Sequence, residues 1–110
     1  MDLESLRADF KDAYEALKSA SSQYAQASLA LDKTKREFEA AKGILLVDGT
    51  LNGKNQETRE AQANQILVSE TIKLAEAEDA FSKAKSAFAL ASTRKDELEV
   101  YLKIAELEKS

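Results

Sequence analysis

Between Leu3 and Leu45 one hydrophobic beat runs without a skipped step. Leu3, Leu6, Phe10, Ala13, Leu17, Ala20, Tyr24, Ala27, Leu31, Thr34, Phe38, Ala41 and Leu45 follow at alternating intervals of three and four. This heptad spacing belongs to a helix that packs along its whole length against another helix. One position type carries only large side chains, Leu3, Phe10, Leu17, Tyr24, Leu31, Phe38 and Leu45. The other is mostly alanine, with Leu6 and Thr34 as exceptions.

Composition agrees with long helices. There is no proline, and glycine occurs three times in 110 residues, so few positions break a helix. A chain of this length makes a single domain. Without cysteine there are no disulfides or thiolate metal sites, and without histidine the commonest general base and metal ligand is missing. A net charge of −4 and a pI near 4.9 speak against a nucleic-acid surface, which needs clustered Lys and Arg. The N-terminus Met-Asp-Leu-Glu-Ser-Leu-Arg lacks the apolar core of a signal peptide. The aliphatic run Ile44–Val47 is too short to cross a bilayer. The expectation is a cytoplasmic protein.

The fold expected is all-α: two long helices forming an antiparallel coiled-coil hairpin, pairing further into a dimer. Helix 1 is predicted over 2–47, a rod of about 70 Å at 1.5 Å per residue; Gly43 is its weak point and a place where it can end early. Asp48-Gly49-Thr50-Leu51-Asn52-Gly53-Lys54-Asn55 is the turn, since Asp-Gly and Asn-Gly favour the positive φ of tight turns. Helix 2 is predicted over 56–108, with Asn55 as its N-cap. Its seam is Ala63, Leu67, Glu70, Leu74, Ala77, Phe81, Ala84, Phe88, Ala91, Lys95, Leu98, Leu102 and Ala105.

A register in which paired residue numbers add to 101 sets one large side chain against one small one in nearly every layer. Phe38 meets Ala63, Tyr24 meets Ala77, Ala13 meets Phe88, and Leu3 meets Leu98. Beside the seam Asp9 faces Arg94 and Lys42 faces Glu57. Glu70 opposite Leu31 and Lys95 opposite Leu6 are its flawed layers, where long side chains snorkel outward. In this register helix 2 outruns helix 1 by about a dozen residues. The overhang from Glu99 carries Val100, Tyr101, Leu102, Ile104 and Leu107. A second apolar group lies off the seam near the turn, with Leu46, Leu51, Ile66, Val68 and Ile72 among its members. Extra apolar surface at both ends points to association with a second copy or another protein.

Chemical motifs are weak by comparison. The carboxylate clusters Glu76, Glu78, Asp79 and Asp96, Glu97, Glu99 sit among lysines and arginines and read as solvated charge rather than a metal or acid–base site. Lys33, Lys35 and Arg36 are offset by Asp32, Glu37 and Glu39. The aromatic residues at helical spacing read as seam. Neither a catalytic group, a cofactor site, a metal site nor a small-molecule substrate is expected, and the chain is read as a non-enzymatic interaction or structural module. The alternative is an acidic inhibitor or DNA mimic that blocks a nucleic-acid-binding or defence protein through its carboxylate faces.

Leu51-Asn52-Gly53-Lys54-Asn55, leading into Arg59-Glu60-Ala61-Gln62, resembles the turn of small helical-hairpin proteins encoded by bacteriophages and prophages. The resemblance covers about a dozen residues and the helix–turn–helix plan. It implies a phage setting, and hence the cytoplasm of the host cell, more than an activity. Physically, Gly53 permits the turn, Asn55 caps the second helix, and Arg59 reaches back to carbonyls at the end of the first. The plan is also similar to the secreted WXG hairpins, but the chain has no tryptophan. Ala105, four residues after Tyr101, stands where that family's tail signal needs an acid.

Overall fold

In a computed structural model, which describes residues 2–109, the chain is all-helical: α1 Leu3–Val47, α2 Gln56–Ile66 and α3 Val68–Lys109. It divides into two compact units. One comprises Met1–Gln26 with Ser82–Ser110, the other Ala27–Phe81.

Helix α1 begins where a cap is available. The Asp2 carboxylate accepts the Glu4 N–H and the Ser5 hydroxyl, each at 3.1 Å, which satisfies donors that a helix start leaves open. The helix then runs through Gly43 without interruption, so the glycine does not end it. All thirteen seam residues of α1 are buried or half-buried, and so are all thirteen of the second seam. Thr34 fits the seam because its hydroxyl donates to the Ala30 carbonyl at 2.8 Å, so no polar atom is left unpaired.

The second half of the chain departs from one uninterrupted helix. Leu67 breaks it, with φ −95° and ψ 48°, far from the helical ψ of about −42°. Its N–H still donates to Ala63 at 2.7 Å, and its carbonyl accepts both the Thr71 N–H and the Thr71 hydroxyl at 2.8 Å. The break therefore keeps Leu67's own N–H and carbonyl bonded while turning its side chain into a core with Leu51 and Ala63. Four of the seven residues from 66 to 72 are β-branched (Ile66, Val68, Thr71, Ile72), which lowers the local cost of leaving the helix.

The pairing offset also differs from the expected one. In the unit containing both termini, Leu6, Ala13, Leu98 and Ala105 form a buried cluster, with Leu3, Phe10 and Leu102 packed on it. Asp2 and Leu3 border Ala105, Glu108 and Lys109, and the Tyr24 ring lies 5.6 Å from that of Phe88. Leu3 thus faces Ala105, Leu6 faces Leu102 and Phe10 faces Leu98, an antiparallel pairing whose numbers add to 108. The expected 101 put Leu3 on Leu98 and Tyr24 on Ala77. In the other unit, Glu70 borders Thr34, Phe38 and Ala41, as the 108 pairing has it, whereas alongside α2 Phe38 still borders Ala63, the pair expected.

The slip is one heptad. A seven-residue shift returns every seam residue to the seam, so a periodic pattern resists it only through side-chain volume. Volume hardly discriminates here: the 108 register still sets Leu17 against Ala91, Ala20 against Phe88 and Tyr24 against Ala84. It also stacks two large pairs, Leu6 on Leu102 and Phe10 on Leu98, and Leu98 is there only 3 % exposed. The corollary is that the expected overhang does not exist. Ala105, unpaired in the 101 register, is 6 % exposed.

Candidate interaction surfaces and the turn

The turn is held by residues from Asp48 to Gln62. Gly49 takes φ +84° just past the end of α1, a left-handed conformation that suits glycine. The Asp48 carboxylate accepts the Thr50 N–H at 2.9 Å, and bonds from Thr50 hold it below its ordinary pKa of 3.8. Leu51 then turns inward. Its N–H donates to the Leu45 carbonyl at 3.1 Å and its side chain, 4 % exposed, plugs the core with Ala63 and Leu67. It was expected on an exposed interaction surface and is instead a core residue.

Beyond Leu51 the backbone is clamped from α2. The Gly53 N–H donates to Gln62 Oε1 at 3.0 Å, and the Gly53 carbonyl accepts Arg59 Nη1 at 3.1 Å. Gln62 Nε2 donates to Asn52 Oδ1 at 3.0 Å. A Cβ on Gly53 would sit 2.6 Å from Thr58 Cγ2 and 3.0 Å from the Arg59 nitrogen, so the position is sterically closed to other residues. Asn55 caps α2 as expected, its Oδ1 accepting the Thr58 N–H and hydroxyl at 2.8 Å. Arg59 differs from expectation, because it holds the turn's own Gly53 carbonyl and not the end of α1. The Gln62 amide bridges Asn52 and Gly53, a role that its place in the sequence does not reveal. Nothing in the local sequence distinguishes it from a solvated glutamine.

Neither flanking charge pairs as the expected register has it. Lys42 Nζ lies 3.8 Å from Glu60, one turn beyond the expected Glu57, and Arg94 pairs along its own helix with Glu97 at 4.0 Å. Lys95 snorkels as expected, with Nζ 2.9 Å from Asp96 and 3.4 Å from Glu99. The bond that its ammonium donates to Asp96 holds its pKa above the ordinary lysine value. Lys95 borders a groove of 520 Å³ with Tyr14, Leu17, Phe88 and several serines. Lys18 Nζ lies 4.8 Å over the Tyr14 ring. Among the described residues, no three Asp or Glu come together in a way that could hold a metal ion. No helix there is long and apolar enough to cross a membrane.

The remaining apolar candidates fall into two groups. Near the turn, Leu46 in the last turn of α1 and Ile66, Val68 and Ile72 around the break are exposed. At the end of α3, Val100, Tyr101, Ile104 and Leu107 are exposed, whereas Leu102 packs against the buried cluster. The exposed four do not form a free overhang. Val100, Ile104 and Leu107 line the outside of a helix whose inside, Leu98 and Ala105, is buried, and Tyr101 lies at its flank. No family model, no curated protein and no solved structure matches this chain.

Proposed function

We propose that the protein is a non-enzymatic interaction or structural module that binds a protein partner through the outer face of α3. The observation that carries this reading is the placement of Val100, Ile104 and Leu107 on the opposite side of α3 from Leu98 and Ala105. A helix that is apolar on both sides, with one side already packed, has a second side to cover. The exposed aliphatics around Leu46, Ile66 and Ile72 offer a second contact area of the same kind. The resemblance of the turn to phage and prophage proteins supplies the phage setting of this reading.

The test is retention of partners by the full chain. Wild type and a Val100→Glu/Ile104→Glu variant are compared as bait in the cells that produce the protein, with circular dichroism showing that the variant keeps its helices. The expected result is a protein held by wild type and lost from the variant. Equal retention by both would overturn the reading. Loss on reversing Glu76, Glu78 and Asp79, with the α3 variant unaffected, would favour the acidic-mimic alternative.

A further inference from the structure

The outer face of α3 carries a heptad repeat of its own. Leu90, Thr93, Glu97, Val100, Ile104 and Leu107 follow at alternating intervals of three and four, and all six are exposed. They stand two positions on from the inner seam, roughly 200° around the helix, so they form its back. Leu90 and Leu107, at the two ends of the stripe, are 72 % and 74 % exposed. Scattered surface leucines need no partner, but a stripe that keeps a 3.5-residue period is shaped to lie along another helix.

We propose that this helix is the same stretch of a second copy, the two α3 helices running antiparallel about a two-fold axis. The proposal rests on the interaction reading above and names its partner. In this arrangement paired numbers add to 197. Leu90 meets Leu107, Thr93 meets Ile104 and Glu97 meets Val100, each pair occurring twice by symmetry.

Charge selects this arrangement. On one flank of the stripe lie Asp96 and Lys103, which antiparallel pairing brings together as opposite charges across the axis. On the other flank lie Arg94 and Tyr101, which it also brings together, so that a guanidinium can cover a ring. Parallel pairing in register would instead set Glu97 against Glu97 within the seam, a like-charge contact in its driest part. The contact spans under three heptads, so the dimer forms and dissociates with concentration.

Sedimentation of the full chain from about 10 µM to about 1 mM tests this. Wild type passes from monomer to dimer across that range, while Val100→Glu/Ile104→Glu stays monomeric with an unchanged helical spectrum. Leu90→Lys, at the far end of the stripe, does the same should the first variant fold poorly. Asp96→Lys or Lys103→Glu alone weakens the dimer about tenfold, and the two together restore it to within about threefold. A wild type that is monomeric at 1 mM, a dimer indifferent to the stripe, or a double reversal no better than the singles overturns the pairing. If wild type is monomeric yet its cellular partner is still lost with Val100→Glu/Ile104→Glu, self-pairing falls and the interaction reading stands.

Discussion

The two units hold their helices together by different means. In the unit containing both termini, Leu6, Ala13, Leu98 and Ala105 are buried by the seam alone, and a seam with a seven-residue period has no intrinsic preference among offsets seven residues apart. The unit around the turn adds features that do not repeat. Leu51 is plugged into the core, Gly53 is clamped between Gln62 and Arg59, and Leu67 leaves the helix to join the same cluster. The unit around the turn therefore has features that fix its own offset, and the unit with both termini has a seam that repeats. Heptads specify which faces meet; loops specify where.

Four substitutions break or sharpen that contrast, each read as a shift in chemical or thermal unfolding. Ala105→Asp puts a carboxylate into the buried cluster of the terminal unit and costs about 4 kcal/mol; in the overhang of the 101 register it would have cost almost nothing. Leu51→Ala empties the plug of the turn unit and costs about 3 kcal/mol, where an exposed loop leucine would give close to zero. Gly53→Val drives a side chain into Thr58 and costs about 2 kcal/mol, and an unchanged midpoint would show that the clamp is not formed. The smallest effect has the opposite sign. Gly43 has open space where a Cβ would go and lies within continuous helix, so Gly43→Ala stabilises by about 0.5–1 kcal/mol.

Much of this fold is legible in the residues themselves. The boundaries of α1, the position of the turn, the Asn55 cap and every seam position can be read from spacing and capping chemistry. The offset between the helices cannot, because Leu17, Ala20 and Tyr24 find alanine or phenylalanine opposite them in both registers. The break at Leu67 is foreshadowed only by the β-branched residues around it, and no glycine or proline marks it. Leu51 looks like an exposed loop leucine until Gly53 and Gln62 are seen to pull its neighbours over α2. The surface candidates depend on the offset. Val100, Ile104 and Leu107 are exposed in either register, but as a helix back rather than a free end, and Leu90 joins them only once α3 is seen to carry a second stripe.

The offset is therefore the claim on which the surface argument stands, and nuclear Overhauser contacts of the Tyr24 ring test it directly. The 5.6 Å between the Tyr24 and Phe88 rings predicts cross-peaks between their aromatic protons in the unmodified protein. Cross-peaks from Tyr24 to the Ala77 methyl, with none to Phe88, would place the helices one heptad away and contradict the account.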